Sequence, residues 1–239
     1  MIEVPEMGDD VHAMWDLLFR LRSEVDVKWT LIGAQMVQLH GFRLGRTPTR
    51  PSRDADVLVD CRLVAGTELV SAWLMERGFR LDGISPDNIG HRFVSGNTSI
   101  DVLAPDHLGE RVSVDTIPPA RTVRVPGGRR ALNSSSEFEV RSRRRSGSIP
   151  MPTLAGALVA KARAVEVDDL PEAQRRDLAF LMSLASLELD EVLAGLDDRD
   201  RQYLSARSEF LDLDQPFWDA CGDLADDAKL AYRRITSRH

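Results

Sequence analysis

The spacing of apolar residues changes character at Pro150 and Pro152, and no other feature constrains the fold as strongly. Ahead of these prolines helix-like and strand-like stretches alternate; behind them every apolar pattern is helical. Asp9 or Asp10 can cap a first helix running to Glu24, with Val11, Met14, Trp15, Leu18, Phe19 and Leu21 on one face. A short strand is expected over 29–32, stopped by Gly33, and then a helix over 34–40 ended by Gly41. Residues 55–59 read as a strand with two faces of different character, and 64–77 as an amphipathic helix with Gly78 at its cap. Residues 91–94 and 99–103 read as a hairpin across Ser95-Gly96-Asn97, with further strand signals at 122–125 and 138–140. Beyond the prolines, helices are expected over about 153–167, 172–186, 188–195, 198–211 and 216–236. The expectation is an α+β chain: residues 1–150 form a mixed β-sheet flanked by helices, and residues 151–239 a helical C-terminal domain.

Composition narrows the function classes. With 239 residues, 43% apolar and 29% charged, the chain has the make-up and length of a globular protein with a sizeable core. No apolar run approaches the ~18–20 residues that cross a bilayer. The acidic opening MIEVPEMGDD has neither the basic nor the apolar region of a secretory signal. Cys61 and Cys221 have no CxxC neighbour, so neither structural zinc nor a disulfide framework is expected, and both read as reduced residues of a cytoplasmic protein. A net charge of −7 argues against nucleic-acid binding, but the charge is unevenly spread. Arg43, Arg46, Arg50 and Arg53 occur over 41–53 without an acid among them. Arg121, Arg124, Arg129, Arg130, Arg141, Arg143, Arg144 and Arg145 meet only Glu137 and Glu139. A basic surface on an acidic protein is therefore permitted.

Asp54 and Asp56 open an apolar strand, where alternate residues project from one face. Two carboxylates held on one face repel each other and gain stability when a divalent cation binds between them. Asp101 stands in the apolar run Ile100-Asp101-Val102-Leu103, where a buried carboxylate is costly without a partner. If the two strands are neighbours, the three aspartates make a hard oxygen cluster suited to Mg²⁺. Just upstream, the order strand, Gly33-Ala34, helix puts backbone N–H groups and a helix N-terminus where a triphosphate can meet them. Gly33 permits the tight turn and small Ala34 a close approach. Glu188/Asp190, Asp198/Asp200 and Asp212/Asp214 share the Asp-x-Asp spacing but fall on polar helix faces or loops, where solvation explains them. His91 precedes the third carboxylate closely yet reads as structural, and His12, His40, His107 and His239 show no ligand spacing.

These segments together resemble the nucleotidyltransferase superfamily that includes DNA polymerase β: an apolar strand, Gly-Gly or Gly-Ser, a helix, Asp-x-Asp on the next strand, and a third Asp on a later one. Within it the chain is most similar to the AbiEii/MenT type of nucleotidyltransferase toxin, through LIGAQMVQLHG (31–41), RPSRDADVLV (50–59), HRF (91–93) and SIDVLAP (99–105). The group's Arg-x-Ser/Thr-x-Asp-x-Asp run falls on Arg50, Ser52, Asp54 and Asp56, and its helical part is matched by Lys161 in LVAKARAV and by Arg175-Arg176-Asp177. The chain departs from the pattern at Ala34, where Gly or Ser is usual, and at Ala55, where a branched residue is usual.

The resemblance implies a nucleotidyltransferase fold and transfer of a nucleoside monophosphate from an NTP to a hydroxyl, the 3′ end of a tRNA. Two Mg²⁺ ions, or Mn²⁺ in their place, would sit on Asp54, Asp56 and Asp101. Nucleotide binding would fall on Gly33, Ala34, Ser52, Arg53 and Lys161, with Lys161 and Asp177 joining the aspartates in catalysis. The protein would be a cytoplasmic toxin with a separately encoded antitoxin as partner. A phosphate on Ser52 would set about −1.5 to −2 charges beside the carboxylates and compete for their metal. The arginines of 141–145 are placed to grip RNA phosphates, although no aromatic platform accompanies them in sequence. The alternatives are a small-molecule nucleotidyltransferase of the antibiotic-modifying type and a non-catalytic binding protein on the same fold.

Overall fold

The computed structural model describes residues 1–48, 52–62, 64–143, 145–167 and 171–237. Arg50, Arg144 and His239 of the readings above lie outside the described residues. In chain order the first half contains β1 (Ile2–Val4), α1 (Asp9–Glu24), β2 (Trp29–Ile32), α2 (Gly33–Arg43), β3 (Asp54–Val59), α3 (Gly66–Met75), β4 (Arg80–Leu81), β5 (Arg92–Ser95) and β6 (Thr98–Pro105). Then come β7 (Arg124–Val125), α4 (Gly128–Asn133), β8 (Ser135–Ser142), β9 (Arg145–Pro152), α5 (Leu154–Ala164), α6 (Pro171–Leu187), α7 (Leu189–Gly195), α8 (Asp198–Ser205) and α9 (Ala225–Thr236). Two 3₁₀ stretches, Ser208–Leu211 and Pro216–Leu224, join α8 to α9.

The chain is thus α+β. A larger mixed sheet has the order β2-β3-β6-β5-β4, with β7 against the end of β6, and a smaller sheet has the order β1-β8-β9. β3 and β6 run parallel at the centre of the larger sheet, and β2 and β5 flank them antiparallel. Ala55, Val57, Leu58, Ile100 and Val102 on the central pair are buried, as strands covered on both faces require. Buried residues from Ile2 to Ile235 belong to one contiguous core that crosses Pro150. At its C-terminal side Phe210 stacks on Phe217 at 4.3 Å and meets Trp218 edge-on at 5.2 Å. No helix among the described residues is long and apolar enough to cross a membrane.

Several boundaries differ from the sequence expectation for identifiable reasons. Gly8, not Asp9 or Asp10, is the N-cap of α1; the two acids sit in the first turn, where the helix dipole favours them. α2 begins at Gly33 itself and runs through Gly41 to Arg43. Gly41 does not end the helix but allows close packing, since a Cβ there would stand 2.7 Å from the Arg46 carbonyl and 3.0 Å from the Phe180 ring. Pro150 and Pro152 lie inside β9, which pairs with β8 over eight registers. The segment RSGSIPMP has weak strand character of its own; burial of Ile149 and Met151 and pairing with β8 override it. Carbonyls of both prolines are used: Thr30 Oγ1 donates to Pro150 at 3.4 Å, and His40 Nε2 to Pro152 at 3.0 Å. Burial, and then the Arg43 charge, push the His40 pKa down to about 4, so the ring stays neutral in this role.

Arg43, at the end of α2, forks onto Glu188 just ahead of α7, with contacts of 2.8 and 2.5 Å. Both side chains are about three-quarters buried, so the pair is worth more than a surface ion pair. Arg43→Ala is expected to cost about 1–2 kcal/mol in a denaturant titration. An unchanged midpoint would mean that water replaces the pair without loss.

Candidate active site

Ile32, the last residue of β2, pairs with Asp56 of β3, and the chain turns directly into α2 at Gly33. Gly33 has φ +70°, a region that side chains rarely tolerate. A Cβ on residue 33 would also stand 1.6 Å from Asp56 Oδ2 and 2.6 Å from its Cγ. The Asp56 carboxylate therefore lies directly against the backbone at the start of α2, and two independent requirements demand glycine there.

On the other side of β3, the parallel register sets Asp54 opposite Ser99 and Asp56 opposite Asp101. Paired residues of adjacent strands, and residues two apart on one strand, share a face. Asp54, Asp56 and Asp101 thus form one carboxylate patch on the central strands. Asp54 Oδ1 accepts from Ser99 Oγ at 2.5 Å. Asp101 is buried, and both its oxygens are held by Arg92, from Nε and Nη2 at 2.8 Å each. Arg92 faces Asp101 across the β5–β6 hairpin, and this fork raises its affinity for its proton above the ordinary arginine value. The Asp56 carboxylate receives no hydrogen bond among the described residues. Burial, followed by the Asp101 charge, pushes its pKa up to about 7; Lys161 and Arg92 pull the other way and Asp54 adds to the rise.

A cavity of about 590 Å³ opens over Asp56 and Gly33, a size that accommodates a nucleotide. Lys161 of α5 stands on its wall, only 4% exposed, and donates to Asp177 Oδ2 and Gln174 Oε1 at 2.8 Å each. Asp177 is equally buried, so each charge of the pair depends on the other. His91 and Arg124 add polar groups to the lining, while Val123, Val125, Pro126, Ala164 and Val167 make an apolar side. The cavity therefore has a carboxyl group on its floor, a buried cation on its wall and an apolar flank.

The sequence candidates are distributed unevenly around this cavity. Gly33, Asp56 and Lys161 line it, Asp101 and Asp54 stand beside Asp56, and Asp177 holds Lys161. Ala34 is buried in the first turn of α2. Ser52 is half-buried at the entry to β3, where its carbonyl accepts from Gln35 Nε2 at 2.8 Å and its Oγ lies 3.4 Å from the Asp54 backbone nitrogen. Arg53 is exposed and 3.5 Å from Asp10. His91, read as structural, is in the cavity lining, with Nδ1 buried and without a hydrogen-bond partner among the described residues. Sequence reasoning missed the roles of Ser99 and Arg92, although both follow from the hairpin and strand registers once Asp54 and Asp101 are noticed. Gln174 and the apolar side carried no signal, because they come from segments remote in the chain.

The oxygen-only donor set is suited to a hard divalent cation rather than to zinc or copper. Asp56 fits such an ion on its own terms: it lies against Gly33, has no hydrogen-bond donor among the described residues and has two more carboxylates on its face. No three His, Cys, Asp or Glu side chains among the described residues converge as a ready-made metal site, since Asp54 and Asp101 are turned to Ser99 and Arg92. Compared with known proteins, the chain matches no family model, no curated protein and no solved structure.

Proposed function

We propose that the chain is a divalent-metal-dependent nucleotidyltransferase with the polymerase-β-like nucleotidyltransferase fold, moving a nucleoside monophosphate from an NTP to the 3′ hydroxyl of a tRNA. On the same reading it is a cytoplasmic toxin of the AbiEii/MenT kind, opposed by an antitoxin protein. The observation that carries the proposal is the Asp56 carboxylate, set against Gly33 without a hydrogen-bond donor among the described residues, flanked by Asp54 and Asp101 and facing the cavity that Lys161 lines.

In this scheme Asp54, Asp56 and Asp101 hold Mg²⁺, which supplies the positive charge that offsets the triphosphate and the charge growing on the transferred group. The N-terminal turn of α2 offers N–H groups to phosphate oxygens, and Gly33 keeps that turn free of side-chain bulk. Lys161 adds a compact positive charge, held in place by Asp177 and Gln174. The apolar flank receives the base and sugar. The acceptor oxygen attacks the α-phosphorus, the bond to pyrophosphate breaks and pyrophosphate leaves; Asp101 accepts the hydroxyl proton. Positioning and electrostatics supply most of the rate.

Arg92 must give up Asp101 for this to happen. Arg92→Gln is expected to tighten Mn²⁺ binding without nucleotide roughly tenfold, read by electron paramagnetic resonance titration. Equal or weaker binding would show that Asp101 is not withheld by Arg92. The proposal as a whole is tested by calorimetric titration with each NTP in Mg²⁺. Binding of at least one NTP, lost in Lys161→Ala, is expected; no binding of any NTP would contradict it.

A further inference from the structure

A cleft of about 530 Å³ opens beside the candidate nucleotide cavity, and the two share a wall. Pro126 lines the cavity while Gly127 lines the cleft; on α5, Lys161 and Ala164 line the cavity while Val159 and Arg163 line the cleft. The partition is thin and close-packed, since a Cβ on Gly127 would stand 3.2 Å from Arg163 Cγ.

The charges of the cleft differ in whether they are already engaged. Asp106 accepts the backbone N–H groups of Gly127 and Arg129 at 2.7 and 2.9 Å. Asp197 caps α8 by accepting from the Asp200 N–H at 2.8 Å. Asp200 is buried and paired with Arg130 at 2.7 Å. The acids therefore serve the fold. Arg129 and Arg199 line the same cleft, are exposed and have no carboxylate partner among the described residues. Tyr203 steadies this wall: Arg199 Nε donates to its hydroxyl at 2.9 Å, and the Arg163 guanidinium lies 4.3 Å over its ring. Arg124, at the neighbouring cavity, donates to the Leu108 carbonyl at 3.5 Å and has no carboxylate partner among the described residues.

Among the described residues, the arginines that look most like a nucleic-acid grip in sequence face carboxylates elsewhere. Arg141 pairs with Glu3, Arg143 with Glu6 and Asp9, and Arg145 with Asp16. Arg43 and Arg46 are held by Glu188 and Asp223. A charge already matched by a carboxylate must exchange that partner for a phosphate, whereas an unmatched one need not.

We propose that the Arg129–Arg199 cleft binds the phosphate backbone of a single-stranded RNA end, whose terminal hydroxyl is directed over the rim of the Gly127–Arg163 partition toward the neighbouring cavity. This rests on the nucleotidyltransferase reading, since it names the seat of that enzyme's acceptor. The test is fluorescence anisotropy of a short fluorescein-labelled single-stranded RNA with the full chain at several salt concentrations. Arg129→Ala/Arg199→Ala is expected to weaken binding roughly tenfold or more and to flatten the salt dependence by one to two phosphates, at about 0.7 in slope for each. Arg141→Ala/Arg143→Ala is expected to bind within about twofold of wild type. An Arg129→Gln/Arg199→Gln pair repeats the charge loss with less change of shape, and an unchanged thermal midpoint in either pair excludes unfolding. Equal loss in the two alanine pairs, wild-type binding by the cleft pair, or no RNA binding by the wild type overturns the proposal. Calorimetry separates the two levels: Mg²⁺–NTP binding without RNA binding removes the cleft alone, and absence of both removes the nucleotidyltransferase reading as well.

Discussion

Replacing Asp56 by asparagine is expected to raise the thermal midpoint of the metal-free protein while abolishing nucleotidyl transfer. The carboxyl titrates at about 7 in the fold, against 3.8 for an unperturbed aspartate, because of burial and the neighbouring Asp101. Ionised Asp56 thus opposes folding by up to roughly 4 kcal/mol, a figure that water in the cavity reduces. The sign follows from proton uptake: between these pH values the native state holds a proton that the unfolded chain has released, so stability falls as pH rises. The gain from Asp56→Asn should therefore be small near pH 4, grow towards pH 7 and level off above it. At about 2–4 °C per kcal/mol for a chain of this size, the shift at pH 8 is several degrees. Saturating Mg²⁺ should raise the wild-type midpoint and leave the variant's unchanged. A variant that is less stable than wild type at pH 8 would mean that Asp56 serves the fold rather than a cation.

Gly33→Ala carries the second large effect. The backbone conformation alone costs an alanine about 1–2 kcal/mol, and the 1.6 Å approach to Asp56 Oδ2 forces either Asp56 or the first turn of α2 to move. The expected result is a loss of transfer by ~100-fold or more, since a displacement of about 1 Å at a reacting centre already has that effect. Stability falls as well. Adding Asp56→Ala to Gly33→Ala removes the clash, so the double variant should regain part of the lost midpoint without regaining transfer. If it recovers no more than Asp56→Ala adds to the wild type, the positive φ alone dictates glycine, and the contact with Asp56 is incidental.

The carboxylate patch was legible because its signals are local. Asp54 and Asp56 announce a shared face by strand spacing, and Asp101 is conspicuous as a charge in an apolar run. Gly33 was legible as a turn, but the reason for it lies with Asp56 on another strand. The charge partners were not legible. Arg141 and Arg143 sit in a basic run, yet Glu3 and Glu6, far away in sequence, neutralise them because β1 lies beside β8. Sequence separation likewise hid that Arg129 of α4 and Arg199 of α8 line one cleft. Pro150 and Pro152 mark the change from sheet to helix correctly, but both lie in the last strand because tertiary pairing outweighs the weak strand propensity of β9.

The central claim is that the Asp56 patch transfers nucleotides, and the most direct measurement incubates the protein with Mg²⁺, total tRNA and each α-labelled nucleoside triphosphate in turn. Asp56→Asn, expected to fold at least as well as wild type, is the control. Label on tRNA from at least one nucleotide, and none in the control, is expected. Label that persists in Asp56→Asn, or its absence from tRNA with every nucleotide, would contradict it.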